Sequence, residues 1–581
     1  FQRSARFRGP DLESATEAEL VATCARINNV LRRFGSNWAL FFEAERHPAR
    51  DYPHSDFPDP LSRLVDEERR AAFEESGALF ESSYILTFAY LPPAENIGRA
   101  EQLLIESEGD KRGLDYHDHL DAFVQKTDRA LDLLGELMPK VAPLTDEETL
   151  TYLHNCISNR RLSVTVPETP AYLDAILVDT SLTGGLKPLL GDAHLRVLTV
   201  LGFPGSTTPG LLDQLNHLGF EYRWMTRFIP LDKAAAEKAI KRAAQRVIDG
   251  RGFATIEESA NAVEAWLSSL PGHVYANVRQ APVNTLNLAH MMPLSATWAG
   301  PARNEHLGGP PLLTVRTNGT TPFRLVTHVG DVGHALVVGP TGAGKSVLLS
   351  LIALQFRRYA NAQITIFDKG GSARAAVLGM GGAYFDLGAA REGVKNALAF
   401  QPLAKIDLTA ERSFAQEWVL GLLAHEGVGI VPEVKDAVWS ALSNLAAAPQ
   451  PERTLTSLAT LLQRSELRQA LQPYTLEGPF GRLLDADDDR LTLGAVQCFE
   501  MEELMHEAGV VPPVLTYLFH RLEAQFDGRP SLLILDEAWL FLDNPAFAAR
   551  IREWLKTLRK QNVSVVFATQ GLSDIAGSSI A

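Results

Sequence analysis

Cysteine is almost missing from this chain. Its three cysteines, Cys24, Cys156 and Cys498, stand far apart among 581 residues and never in CxxC spacing. That excludes a disulfide framework and a zinc ribbon, and it fits a reducing cytosol. Positive charge is also scarce: 55 Lys and Arg face 70 Asp and Glu, a formal net charge of -15. Such a balance argues against a surface built throughout to hold nucleic acid, while leaving room for a local basic channel. No stretch reaches the roughly eighteen uninterrupted apolar residues of a transmembrane helix, and the opening Phe1-Gln2-Arg3-Ser4 has no signal-peptide pattern. Any membrane contact is therefore expected to be peripheral. Because the chain opens without Met, we expect a natural N-terminus further upstream, one that could carry an anchor. There is no internal repeat and no low-complexity tract. Hydrophobic residues at 46% and charged residues at 22% are those of a folding globular protein, and the length suggests about three to five compact units.

The first three hundred residues mix strands and helices. Trp38 to Arg46 and Tyr84 to Leu91 read as apolar strands, the second ended by Pro92-Pro93. Leu120, Phe123, Val124, Leu131 and Leu134 follow helical spacing and predict a buried face, and Thr145-Asp146-Glu147-Glu148 is a capping-box pattern that opens the next helix. Strands at Leu195 to Phe203 and Phe220 to Ile229, with a helix from near Pro209 between them, complete an α+β unit. The Pro/Gly-rich stretch Leu307-Gly308-Gly309-Pro310-Pro311 marks a boundary. Beyond it the chain reads strand (Ala335 to Val338), Gly-rich loop, helix (Val347 to Tyr359) and strand (Ile364 to Phe367), the opening of a parallel α/β domain. Helical spacing follows, with Trp418, Val419 and Leu422, then Leu455, Leu458 and Leu462, and Asp485 to Arg490 reads as an acidic turn. The sheet resumes at Leu532 to Leu535, passes a basic helix near Ile551 to Lys560 and returns at Val563 to Ala568. The expected architecture is an α+β domain over 1–305, the first part of an α/β P-loop domain over 306–400, an inserted mainly helical subdomain over 401–525, and the remainder of the α/β domain over 526–581.

The chemistry lies in the second half. Gly339-Pro340-Thr341-Gly342-Ala343-Gly344-Lys345-Ser346 fits G-x-x-x-x-G-K-[ST] at every fixed position. Glycines let successive backbone N–H groups turn onto a phosphate and open a helix whose positive end faces the anion. Lys345 would neutralise β- and γ-oxygens, and the Ser346 hydroxyl would complete a Mg2+ shell. The bland alternative is a glycine turn with a surface lysine. It is disfavoured by the apolar strand before the loop and the apolar helix after it.

A second acidic strand follows, Leu532-Leu533-Ile534-Leu535-Asp536-Glu537-Ala538-Trp539. Asp536 is expected to hold Mg2+ through water, and Glu537 to orient and polarise the attacking water. The strand from Ser564 ends in Gln570, a candidate sensor of the γ-phosphate or the water. Arg550, Arg552, Lys556, Arg559 and Lys560 ordinarily form a solvated face, but in a ring Arg559 could reach a neighbour's γ-phosphate as an arginine finger. Asp368-Lys369 reads as a plain turn. His154 with Cys156, and His117 with His119, are too sparse for a metal site.

With these motifs in order, Ile366-Phe367-Asp368-Lys369-Gly370-Gly371-Ser372, Phe400-Gln401-Pro402-Leu403 and Leu533 to Trp539 resemble the conjugal-transfer ATPases of type IV secretion systems, in the TrbE-type branch. Thr183-Gly184-Gly185-Leu186 and Asn287-Leu288-Ala289-His290-Met291-Met292-Pro293 extend the likeness over nearly the whole chain. The resemblance implies a RecA-like C-terminal motor that uses ATP and Mg2+ and works as an oligomer, often a hexamer. It also implies an N-terminal domain that docks on the inner-membrane secretion complex, and a role in pilus assembly and substrate transfer from the cytoplasmic side. The chain stops at Ala581, soon after Gln570, where the family supplies further strands, and the connection around Lys238 to Arg251 is shorter than the family's. Two other readings stand beside this one: a DNA-translocating pump of the coupling-protein or FtsK kind, and a non-catalytic scaffold stabilised by bound nucleotide. Glu537 argues against the scaffold, which has no need of a water-polarising acid.

Overall fold

The computed structural model describes all residues except 12–13, 50–51, 78, 93–115, 170, 205, 232–253, 277, 280–281, 388–397, 508, 538–544 and 572–581. The connection from Lys238 to Arg251 and the residues Ala538 and Trp539 lie outside the described residues. The chain divides into two compact units. One comprises Phe1–Arg50, Ser76–Ala299 and Arg316–Phe323, the other Asp51–Glu75, Gly300–Val315 and Arg324–Ala581. The helix Pro60–Glu75, which lies far upstream of the Pro/Gly-rich boundary, thus belongs with the second unit.

The first unit is built on a five-stranded antiparallel sheet: β1 (Gln2–Arg8), β2 (Trp38–Pro48), β3 (Phe80–Tyr90), β4 (Lys140–Pro143) and β5 (Tyr222–Phe228), in the order β4-β1-β3-β2-β5. One face packs Leu40, Phe42 and Phe88 against Ile27 and Leu31 of helix α1 (Glu17–Leu31) and Phe123, Leu131 and Leu134 of helix α2 (Tyr116–Gly135). The helical spacing expected for α2 is present, but Val124 is 37% exposed because it falls outside the stripe that faces the sheet. Helix α3 (Asp146–Ile157) opens with the expected capping box, in which the Glu148 N–H donates to the Thr145 hydroxyl and the Thr145 N–H to the Glu148 carboxylate. Near Pro209 the expected helix is instead a single 3-10 turn, Asp213–His217. Gly210 there has φ +72, a conformation that interrupts an α-helix.

The second unit holds a six-stranded, wholly parallel sheet: β6 (Ala335–Val338), β7 (Gln363–Asp368), β8 (Ala383–Asp386), β9 (Val496–Glu500), β10 (Ser531–Leu535) and β11 (Val563–Thr569), in the order β6-β11-β10-β7-β9-β8. Alternate residues feed two cores, so the strands read as unbroken apolar runs. Ile364, Ile366, Leu532 and Ile534 pack on helix α4 (Lys345–Phe356) and helix α5 (Arg374–Gly379). Phe367, Leu533, Leu535 and Val565 face the other way. There they meet Trp418, Val419 and Leu422 of helix α6 (Thr409–His425), Leu518 of helix α7 (Val511–Glu523) and Trp554 of helix α8 (Pro545–Thr557). The helical stretch expected over 401–525 also contains β9, buried along its whole length in the middle of the sheet. A short apolar run bounded by polar residues has no periodicity to separate strand from helix.

Candidate active site

All six parallel strands point their carboxyl ends to one edge, and the P-loop springs from that edge. Gly342 (φ +83) and Gly344 (φ +86) adopt left-handed backbone, and no atom lies near where a Cβ would stand. Conformation, not crowding, therefore requires glycine at both places. Gly344 caps α4, whose first N–H groups have no partner within the helix. Lys345 folds back across the loop, its Nζ donating to the Gly339 carbonyl at 2.7 Å. Ser346 lines a small pocket together with Ser350, Asp368, Ser372 and Asp536.

Asp536 follows β10 directly. Its backbone N–H donates to the Phe367 carbonyl at 3.0 Å, which sets it beside the end of β7. The side chain is 7% exposed, and its carboxyl is pushed up to about 6, first by burial and then by the charge of Asp368, with Lys345 acting in the opposite sense. Asp368 is therefore more than the plain turn residue expected from the sequence. It is 1% exposed and also raised by burial, and its oxygens accept from the Ser372 hydroxyl at 2.6 Å and the Ala373 N–H at 2.8 Å. Glu500 at the end of β9 likewise escaped the sequence reading. Its carboxylate accepts the N–H groups of Gly370 at 3.0 Å and Gly371 at 2.6 Å, which closes the turn that follows β7. Only the order of the strands, invisible in a linear pattern, brings these acids together.

Glu537 adopts φ +53, left-handed backbone that costs a non-glycine residue of order 1–2 kcal/mol. One of its oxygens accepts from Gln570 Nε2 at 2.9 Å, and Gln570 Oε1 accepts from the Thr341 hydroxyl at 3.2 Å. Pairing of β6 with β11, prolonged by the Gly339 N–H to the Thr569 carbonyl, carries Gln570 to the loop. The fold thus joins the P-loop, the acidic strand and the polar strand end, and nothing in the sequence pointed to Thr341 as the link.

Arg559 is elsewhere. It precedes β11, in the 3-10 turn Leu558–Gln561, 3.9 Å from Asp331, so the length of a seven-residue strand, roughly 20 Å, separates it from Gln570. It does not serve the P-loop of its own chain, and with Arg552, Lys556 and Lys560 it lies on an exposed face. His154 is buried against the Leu177 carbonyl and Cys156 against Arg223, and among the described residues no group of His, Cys, Asp and Glu forms a metal cluster. No described helix is long and apolar enough to cross a membrane.

A parallel sheet in which the polar-ended strand β11 lies between the P-loop strand β6 and the acidic strand β10 defines a RecA-like P-loop NTPase. Residues 1–97 match the family described as Type IV secretion system ATPase VirB4/TrbE, N-terminal domain. The chain is 38% identical to the conjugal transfer protein TrbE of Rhizobium radiobacter across 99% of its own length and 81% of that protein's. It is also 23% identical to the type IV secretion system protein virB4 of Bartonella quintana across the same shares. The chain belongs to the VirB4/TrbE family of type IV secretion ATPases. Among solved structures it is similar to VirB4 of Thermoanaerobacter pseudethanolicus at 17% identity, covering 46% of this chain and 78% of that one with a TM-score of 0.37.

Proposed function

We propose that this chain hydrolyses ATP to power conjugative type IV secretion. The observation that carries this reading is the hydrogen-bonded chain Thr341–Gln570–Glu537 set beside Asp536 at the mouth of the P-loop. Loop N–H groups from Gly342 to Ser346 and the first turn of α4 would hold the phosphates. Ser346 and Asp536 suit a Mg2+ ion: a hydroxyl and a carboxyl line one pocket, and the like charge of Asp368 leaves that pocket in need of a cation. When bound there, Mg2+ would supply charge neutralisation for the phosphates. Lys345, released from the Gly339 carbonyl, adds a second positive charge there. Glu537 orients the attacking water and takes its proton as the bond to the γ-phosphorus forms and the ADP oxygen leaves. Gln570 stands where it can touch both the carboxylate and the terminal phosphate.

At the level of the machine, the reading is a motor that acts on the cytoplasmic side of the inner membrane. Its first unit docks on the secretion complex, and its second assembles into an oligomer, a hexamer, in which Arg559 on its exposed face is available to a neighbour. Pilus subunits or other proteins would be the cargo. Steady-state ATP hydrolysis by the parent and by Glu537→Gln, measured across protein concentrations with and without single- and double-stranded DNA, tests this. Turnover that requires Glu537, rises with concentration and ignores DNA is the expected result. Strong stimulation by DNA would favour a DNA-translocating pump, and negligible turnover in both proteins despite nucleotide binding would favour a scaffold.

A further inference from the structure

The side-chain amide of Gln570 is engaged at both ends. Glu537 offers only acceptors when ionised, so the amide nitrogen must face it, which turns Oε1 toward the loop. The Thr341 hydroxyl meets that oxygen as a donor at 3.2 Å. The polarity of the chain is therefore fixed: Thr341 donates to Gln570, and Gln570 donates to Glu537. In this arrangement an N–H of Gln570 holds one oxygen of the acid. Thr341 is also a member of the loop itself, two residues into it, between Pro340 and the left-handed Gly342.

We propose that Thr341 is a positioning residue that reports an occupied P-loop to Glu537 through Gln570. The idea rests on the hydrolysis reading above and adds a coupling within the same site. Phosphates held by the loop N–H groups fix the backbone on either side of Thr341, and its hydroxyl then holds Gln570 Oε1 so that the amide N–H keeps the Glu537 carboxylate aimed at the attacking water. Without that hydroxyl the Gln570 amide swings and Glu537 loses its aim, while the loop N–H groups still hold the phosphates.

The test uses the whole chain with Thr341→Val, Thr341→Ser, Gln570→Ala and the double variant Thr341→Val with Gln570→Ala. For each, kcat and KM for ATP are measured alongside the Kd of a fluorescent ADP, which also checks that the site is folded. Thr341→Val is expected to lower kcat by about five- to tenfold, the value of one hydrogen bond lost at the rate-determining step, with ADP affinity within about twofold. Thr341→Ser keeps the hydroxyl and is expected within about twofold of the parent. If the two residues act in series, the double variant is no slower than Gln570→Ala alone. Losses that multiply in the double variant would overturn the coupling, as would a Thr341→Val defect that appears in ADP binding with kcat unchanged. Glu537→Gln separates the two levels. If it turns over like the parent, the hydrolysis reading falls and the coupling with it; if it is inactive while the losses multiply, only the coupling falls.

Discussion

Asp536 carries the clearest single-residue consequence of the site. Its folded carboxyl titrates at about 6, above the ordinary range near 4, because burial and Asp368 disfavour its charge. Between those values the folded state keeps a proton that the unfolded state has lost. The group's contribution to stability is thus fully present below about pH 4 and is lost as pH rises through 6. At pH 7.5 its ionisation costs about 3 kcal/mol in the nucleotide-free, Mg2+-free protein. Asp536→Asn is neutral at every pH, so it is expected to melt higher than the parent at pH 7.5 and to come level with it only below about pH 4. Equal melting points at pH 7.5 would contradict the buried charge. Glu537 argues the same trade through its backbone. At φ +53, Glu537→Gly removes the left-handed strain, offset in part by the entropy glycine loses on folding. Chemical denaturation is expected to show a gain of about 1 kcal/mol, together with loss of hydrolysis. No gain would mean that residue 537 sits there without cost.

At the scale of elements, the strands that carry the motifs were legible because their signals are local. The apolar run before Gly339, the run ending in Asp536-Glu537 and the capping box at Thr145 each depend on neighbours in sequence, and each forms where expected. What was not legible depends on contacts between distant segments. Asp485 reads as the start of an acidic turn, and it is 5% exposed. Its carboxylate accepts the N–H groups of Leu455, Thr456 and Leu476 and the Thr456 hydroxyl, so it fastens the helix Leu455–Leu461 to the turn before Gly481. Nothing near it in sequence announces those partners, which lie nine to thirty residues away. Asp485→Ala strands several buried donors and is expected to cost about 3 kcal/mol in stability, whereas Asp485→Asn, which keeps an acceptor, costs less. Hydrogen exchange should show the amides of Leu455 and Thr456 opening in the alanine variant. Protection equal to the parent's would count against this role.

On the scale of the whole molecule, composition suggests a boundary near residue 305, whereas the second unit takes in Asp51–Glu75 and leaves Arg316–Phe323 to the first, so it is not one continuous piece of chain. The helix Pro60–Glu75 packs against α4 and α5 within that unit, so closely that a Cβ on Gly379 would come 2.2 Å from Leu61. Arg358, only 1% exposed at its side chain, donates to Asp66 at 2.7 Å and to Gln355 at 2.7 Å, and also to the Pro311 carbonyl. Asp66, itself 2% exposed, further accepts from the Tyr52 hydroxyl at 2.9 Å. A charge this deeply buried is tolerable only with its partner in place, and removing one member costs about 3–5 kcal/mol. A piece spanning 306–581 carries Arg358 without Asp66, so it is expected to be poorly soluble despite containing every nucleotide-site residue. In the full chain Asp66→Ala should destabilise the second unit by that same 3–5 kcal/mol, and Arg358→Met in the same molecule should recover much of the loss, because an apolar pair removes the orphaned charge. If Arg358→Met and Asp66→Ala instead add independently in denaturation, the pair is not what binds the helix Pro60–Glu75 to the motor fold, and the close packing at Gly379 must do so alone.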